Sequence, residues 1–372
     1  MEKIKVVIVN NHFQYSDGTV RALIGMVNHM NTDKYDITIK PLYRCDRRLE
    51  NELKSGIKLE KCFGFYFRGF SRIAKLFPIR WLYNQFIGGK YDVEIAYQSD
   101  LPTILVGNSI NKNAVHIAWM HGYELWPNEY KKVDKVICVS KSCAERAKSE
   151  MGDDIDVTYR YNLVDDSVIK QKAGEKIDTL IVAPPVFVTV GRLSPEKGYG
   201  RLIDICGELR DEGYLFHLLL IGGGPEEASL RQLVKEKCLE SYITMTGATS
   251  NPHKYTSRAD VFVCSSFSEG YSTACTEAAI LSVPIITTCV SGGAEIIEEC
   301  ECGILTSLED GDLKAAMCKV LECPEMIESW KNTMKKTSEK FGLSNRAKQM
   351  ENLFDEIEQI YQTKRGKSKS EK

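Results

Sequence analysis

A chain of 372 residues is longer than one ordinary hydrophobic core supports and points to two domains of roughly 150 to 200 residues each. With 43% hydrophobic and 27% charged residues and a net charge of −2, the composition is that of a globular protein and excludes a basic nucleic-acid binder. An apolar strand directly after Met-Glu-Lys, and no apolar run of about 18 residues anywhere, predict a cytoplasmic protein with neither signal peptide nor membrane span.

In chain order, the repeating unit is a short β-branched run, a polar or glycine-containing turn, and an amphipathic helix. The first half carries such runs at 4–9, 37–39, 93–97, 115–120, 136–139 and 157–159, and the second half at 186–190, 218–221, 243–246, 261–264 and 283–288. Runs that are apolar throughout are buried on both faces, and alternation with helices implies parallel order, so two doubly wound α/β domains are expected. Periodicity is lost over 172–185, which ends in two prolines, and the join is placed near residue 180. The expected division is 1–180, 181–345, a helix over 346–362 that packs back on the first domain, and a disordered basic tail over 363–372. The first 180 residues hold 27 Lys and Arg against 23 acids, the remainder 22 against 28, so the first half is the basic one. The thirteen cysteines are odd in number and sit mostly within apolar segments, as reduced buried thiols do. Cys300 and Cys302 lack the second pair that a zinc site needs.

In open parallel sheets ligands bind beyond the carboxyl ends of the strands, so the residues after each run are the candidate site. After 186–190 comes GRLSPEKGYGRLI, in which Arg192 and Lys197 either direct two permanent cations at a diphosphate beside a helix start or are solvated surface charges. After 218–221 comes GGGPEEASL, whose three glycines allow a close backbone approach to a ligand and whose Pro225 starts the next helix. The dinucleotide fingerprint G-x-G-x-x-G is absent here and after the first strand, which argues against a nicotinamide enzyme.

After 261–264 comes SFSEGYSTACTEAAI. With a helix beginning near Ser272, Glu269 lies in the loop before it, Glu277 lies more than a turn inside, and the N–H groups of Gly270, Tyr271, Ser272 and Thr273 form an anion-binding concavity. Two carboxylates flanking such a start suit a ligand with hydroxyl-bearing rings on either side of a phosphate, as in a nucleotide sugar. The alternative makes Glu269 a partner of the helix dipole and Glu277 a solvated residue. CVSGGAEII after 283–288 is a further small-residue turn, with Glu295 starting a helix. In the first half, NNHFQYSDGTVRALI offers Asp17 and Gly18 at a helix start, and AWMHGYE places His121 at a strand end.

Through GRLSPEKG, GGGPEEASL and above all SEGYSTACTEA, which has an E-x7-E spacing, the chain resembles glycosyltransferase family 4, the retaining nucleotide-sugar transferases of the GT-B fold. The resemblance covers nearly the whole chain, with VICVSKSCAERA and YRYNLVD as further matches. It implies two Rossmann-like domains facing each other across a cleft, the first binding acceptor and the second the donor. It further implies that Arg192 and Lys197 hold the donor diphosphate and that Glu277 bonds the ribose. By the same likeness Glu269 bonds hydroxyls of the transferred sugar, the amides of 270–273 meet the donor, and His121 lies near the anomeric carbon. Members commonly carry two adjacent glycines where this chain reads Asp17-Gly18, which leaves Gly18 for the donor while the Asp17 carboxylate would repel it unless it turns away or binds acceptor.

The expected activity is transfer of a hexose-type sugar, with UDP as the favoured nucleotide, to a glycan or lipid-linked acceptor in cell-surface polysaccharide synthesis. The alternatives are a nucleotide-sugar epimerase on the same fold and a non-catalytic partner subunit. No cofactor and no metal are expected, because Arg192, Lys197 and the helix amides take the role of a divalent ion, and Asp154-Ile-Asp156 and Asp310-Gly-Asp312 fall in polar turns. Residues 61–90 hold six Lys or Arg, nine aromatics and no acid. That segment, with the basic tail, either lies on the inner face of the cell membrane to collect a lipid-linked acceptor or packs on the core with solvated charges.

Overall fold

The computed structural model describes residues 2–14, 18–60, 73–74, 76–122, 127–152, 154–177 and 185–370. The chain divides into two compact units, Met1–Leu163 with Arg346–Lys372, and Val164–Asn345.

The first unit is built on a seven-stranded sheet of β1 (Ile4–Phe13), β2 (Tyr35–Cys45), β3 (Lys58–Leu59), β4 (Val93–Ala96), β5 (Val115–Met120), β6 (Lys135–Cys138) and β7 (Val157–Tyr159). Their order is β3-β2-β1-β4-β5-β6-β7 and every pairing is parallel. The second unit carries β8 (Val186–Val190), β9 (His217–Ile221), β10 (Ile243–Gly247), β11 (Val261–Cys264), β12 (Ile285–Thr288) and β13 (Ile304–Thr306), again all parallel, in the order β10-β9-β8-β11-β12-β13. Each sheet reverses direction beside its first strand, so each is doubly wound as expected.

The strand cores are apolar on both faces because helices cover both; Val6 to Val9 and His217 to Ile221 are all buried. Flanking helices present the i, i+3, i+4, i+7 stripe that such a sheet requires. Val20, Leu23, Ile24 and Val27 are buried in Gly18–His29, and Tyr199, Leu202, Ile203, Cys206 and Leu209 in Tyr199–Asp211.

The division between the units falls between Leu163 and Val164, earlier than the join expected near residue 180; residues 178–184 lie outside the described residues. The helix Asp166–Ala173 belongs to the second unit because its last carbonyls are claimed there, Lys172 O by Asn251 Nδ2 at 2.9 Å and Ala173 O by Ser257 Oγ at 3.3 Å. The final helix, Leu343–Ser370, belongs from Arg346 onward to the first unit. It buries Met350, Leu353, Phe354, Ile357 and Tyr361, and donates from Tyr361 Oη to Asp92 at 2.8 Å and from Lys364 Nζ to Asp134 at 2.6 Å. It continues past residue 362, where the tail was expected to lose structure: Lys364 is anchored, and Thr363 to Gly366 follow the helical path already set.

Candidate nucleotide-sugar site

The second unit gathers its polar side chains where β8 and β11 end. Gly191 follows β8, and the turn after it leads through a single 3-10 turn, Pro195–Lys197, into the helix Tyr199–Asp211. Gly198 joins these two with φ 66°, and a β-carbon there would strike the Ser265 carbonyl oxygen. This close approach brings the β8 loop against the β11 loop: Phe267 N–H donates to Glu196 O at 2.8 Å and Ser265 Oγ to Lys197 O at 2.9 Å.

That contact sets Lys197 Nζ 2.6 Å from Glu269 Oε1, which also accepts from Ser266 Oγ at 2.7 Å. The two side chains are 24% and 12% exposed, so this is a largely desolvated ion pair at a helix entrance. Burial alone would lower the Lys197 amine; the Glu269 carboxylate outweighs it and holds the ammonium above its ordinary pKa. The helix Thr273–Ile280 begins behind them, capped by Ser272, whose Oγ accepts from Cys275 N–H at 3.3 Å. Gly270, Tyr271 and Ser272 are buried, and the first-turn N–H groups lie at the positive end of the helix dipole. Lys197, Glu269, Ser266 and Ser272 line a cavity of about 10 Å³ together with Cys264 and Tyr199.

The remaining expected residues do not join this ion pair. Arg192 is 67% exposed and donates to Glu196 Oε1 at 3.1 Å. Glu277 lies inside the helix, half-buried, with its Oε2 3.7 Å from His253 Nδ1. Gly222 and Gly224 pack on the backbone of Gly191 and Leu193, with Leu193 N–H donating to Gly223 O at 3.0 Å, and the next helix starts at Glu227 rather than Pro225. Asp310 and Asp312 lie in the first turn of the helix Asp310–Glu322, where the dipole favours them, and Asp156 pairs with Lys135 at 2.6 Å. Among the described residues no group of three or more His, Cys, Asp or Glu side chains converges as a metal would require.

The sequence reading missed Arg201. Buried in the helix after Lys197, it donates from Nε to Ser265 O at 2.9 Å, from Nη2 to Ser266 O at 3.2 Å and from Nη1 to Leu308 O at 2.6 Å. Its guanidinium lies 3.9 Å from the Phe267 ring centroid. These bonds fix the loop that carries Glu269. Because its targets are backbone carbonyls, no residue pattern announces the role.

In the first unit, His121 follows β5 with its ring 4.5 Å from that of Tyr97 and stacked at 6.5 Å on Trp119. Burial lowers its pKa to about 3, against a smaller opposing effect of the Tyr97 backbone, so the imidazole is neutral at physiological pH. Its Nε2 is shielded and has no hydrogen-bond partner among the described residues. Gly18 opens the helix Gly18–His29, and Asp17 lies outside the described residues. Of the 61–90 segment, residues 61–72 and 75 lie outside them too. The rest exposes Ile73, Leu76, Phe77 and Trp81, with the Phe77 and Trp81 rings stacked at 5.2 Å. No helix among the described residues is long and apolar enough to cross a membrane.

The second unit is thus a Rossmann-like parallel sheet with a cation–carboxylate pair at the entrance of a capped helix, a class of domain suited to anionic, hydroxyl-rich ligands. Residues 174–337, most of that unit, match the family of glycosyl transferases group 1. Over 183 residues the chain is 27% identical to the N-acetylgalactosamine-N,N'-diacetylbacillosaminyl-diphospho-undecaprenol 4-alpha-N-acetylgalactosaminyltransferase of Campylobacter jejuni, covering 49% of this chain and 48% of that protein. Over 166 residues it is 27% identical to the amylovoran biosynthesis glycosyltransferase AmsK of Erwinia amylovora, covering 42% and 41%. The chain therefore spans about half the length, or less, of the curated relatives it matches. The crystal structure of Anabaena HepE in complex with UDP superposes with a TM-score of 0.74 at 16% identity, over 95% of this chain and 100% of that one, so the two share their fold.

Proposed function

We propose that the chain is a retaining glycosyltransferase of family 4 that moves a hexose-type sugar from a nucleoside-diphosphate sugar, with UDP favoured, to a glycan or lipid-linked acceptor in cell-surface polysaccharide synthesis. The observation that carries this reading is the Lys197–Glu269 pair at 2.6 Å, set before a capped helix within the segment that matches glycosyl transferases group 1. Support for the acceptor class comes from the Campylobacter relative, whose name includes diphospho-undecaprenol, and from AmsK, named for amylovoran biosynthesis. HepE was crystallised with UDP.

As the glycosidic bond stretches, negative charge builds on the leaving diphosphate and positive charge on the sugar ring. Lys197 is the cation that meets the first, turning from Glu269 to the phosphate, with Arg192 and the N–H groups of 270–273 beside it. Glu269, released from Lys197, accepts hydroxyls of the transferred sugar. Its task of gripping hydroxyls makes it a poor displacement nucleophile, and the acceptor attacks from the leaving-group side with a donor phosphate oxygen taking its proton. His121 joins the reaction as a neutral hydrogen-bonding group toward the sugar. With the diphosphate charge met by protein groups, no divalent ion and no cofactor is needed.

Glu277, removed from this pair and reaching toward His253, is assigned to the nucleotide ribose. Glu277→Ala is expected to raise the donor KM about tenfold with turnover within about twofold of wild type, which steady-state kinetics against donor concentration checks. The reaction itself is tested with a panel of nucleoside-diphosphate sugars in excess EDTA. At least one, a UDP-sugar by expectation, should raise the melting temperature and be consumed when acceptor is supplied. No stabilisation by any donor would remove the proposal, and stabilisation seen only after adding a divalent ion would remove its metal-free part.

The exposed Ile73, Leu76, Phe77 and Trp81, in a stretch without acids, are assigned to contact with an anionic membrane surface where a lipid-linked acceptor resides. Phe77→Ser with Trp81→Ser is expected to lower co-sedimentation with vesicles containing anionic lipid at least about fivefold. Co-sedimentation unchanged by that pair, or absent in the wild type, would assign the aromatics to another surface.

A further inference from the structure

One imidazole of the second unit has no part in the transfer, yet it sits against a residue that does. His253 opens the four-residue helix His253–Thr256, and its Nδ1 lies 3.7 Å from Glu277 Oε2. The two side chains are 11% and 26% exposed, so the contact is mostly screened from water and is felt more strongly than a surface pair. A carboxylate at this range favours the proton on Nδ1, which makes that nitrogen a donor. The separation is too long for a hydrogen bond and one small side-chain rotation away from it.

The ring is carried on a fixed mount. A helix of four residues has no stability of its own, so its position comes from what holds its ends. At the entry, Asn251 Oδ1 accepts from Lys254 N–H at 3.3 Å while Asn251 Nδ2 donates to Lys172 O at 2.9 Å. At the exit, Ser257 Oγ donates to Ala173 O at 3.3 Å, and Arg258 donates from Nη1 to Ala173 O at 3.1 Å and from Nη2 to Glu175 O at 2.9 Å. Both ends are therefore tied to the chain around the close of the helix Asp166–Ala173. Glu277, the fifth residue of the helix Thr273–Ile280, reaches outward on a side chain with three rotatable bonds, and an unheld carboxylate of that kind has rotamer freedom to lose when it binds.

We propose that His253 is a positioning residue for nucleotide binding: it holds Oε2 of Glu277 and leaves Oε1 to accept from a ribose hydroxyl. This rests on the assignment of Glu277 to the ribose. A carboxylate offers lone pairs on both oxygens, so one can be held while the other stays available. Fixing it before the nucleotide arrives removes part of the ordering cost of binding. The benefit falls on affinity, because the ribose is gripped alike before and during sugar transfer.

The test is calorimetric titration of UDP into the full chain, which reads nucleotide affinity and not turnover. His253→Leu fills much of the ring's space without a donor, and its Kd for UDP should rise about fivefold. His253→Asn places an amide Nδ2 where the imidazole Nδ1 stands and should bind within about twofold of wild type. Glu277→Ala should weaken UDP about tenfold, and His253→Leu added to it should cost less than about twofold more, because a residue that acts through Glu277 has nothing to act on without it. With 2′,3′-dideoxy-UDP, which lacks both ribose hydroxyls, wild type and His253→Leu should bind alike. Wild-type affinity for UDP in His253→Leu would overturn the proposal, as would an asparagine variant as weak as the leucine one or losses that add in the double variant. UDP binding that Glu277→Ala leaves unchanged would instead remove the ribose assignment itself, and this inference with it.

Discussion

Turnover of Glu269→Ala should fall by about three orders of magnitude, with the donor KM within about threefold of wild type. The carboxylate is held in place before any ligand arrives, by Ser266 Oγ and by Lys197, and is only 12% exposed. A group fixed in this way aligns sugar hydroxyls at little further entropic cost, and its removal is felt in positioning at the reacting carbon rather than in grip on the nucleotide. The alanine variant also strands the Lys197 ammonium, and losing one partner of a desolvated pair costs about 3 kcal/mol. Pairing raises the Lys197 pKa, so the pair contributes fully at neutral pH and its contribution is lost only as pH climbs through that raised value. Glu269→Gln separates the two effects. It keeps an oxygen that can accept from Ser266 and Lys197 and the shape of the site while removing the charge, so it should melt closer to wild type than the alanine variant does and still lose at least about 100-fold in turnover. Normal turnover in purified Glu269→Gln would take the sugar contact away from this residue.

The parts of the fold legible in the sequence were those set by local pattern. The runs at 115–120, 157–159, 186–190 and 261–264 coincide with β5, β7, β8 and β11, because strands buried on both faces must be apolar throughout. The edge strands β3 and β13 went unread: Lys58–Leu59 is two residues long, and Ile304–Thr306 is partly exposed, so neither carries a buried strand's signature. β1 runs on through the polar Asn10, Asn11 and His12, where Asn11 N–H is taken by Gln98 Oε1 at 2.7 Å, a partner distant in sequence. The same limit governs the site. Lys197, Glu269 and the Ser272 cap stood out by position after strands, whereas Arg201 finds its partners, the carbonyls of Ser265, Ser266 and Leu308, only once the β8 and β11 loops meet. Gly222 and Gly224 were visible as glycines, but sequence could not say that the chain's own backbone packs against them.

Gly222→Ala should be the most damaging single-methyl change in the second unit. Gly222 follows β9 with φ 149°, a conformation that side-chain-bearing residues rarely adopt, and its N–H donates to Gly247 O at 3.1 Å. A β-carbon there would run into the Gly191 carbonyl, which neighbours the Gly191 N–H bond to Ile221 O at 3.0 Å and leads directly to Arg192. Backbone cannot rotate aside as a side chain can, so strain and overpacking add to about 4 kcal/mol and lower the melting temperature of this unit by about 10 °C. Gly200→Ala is the matched control. Its β-carbon would meet nothing within 4 Å, and in the first turn of the helix Tyr199–Asp211 alanine should be neutral or stabilise by up to about 1 kcal/mol. Calorimetry on the two variants checks the difference. What survives folding in Gly222→Ala should bind donor more weakly, because the displaced turn is the one that carries Arg192 and, through Leu193, leads to Lys197. A variant that melts with the wild type and binds donor normally would mean that the β8 turn can yield without cost, and that the glycines after β9 are not what holds the cations at the strand ends.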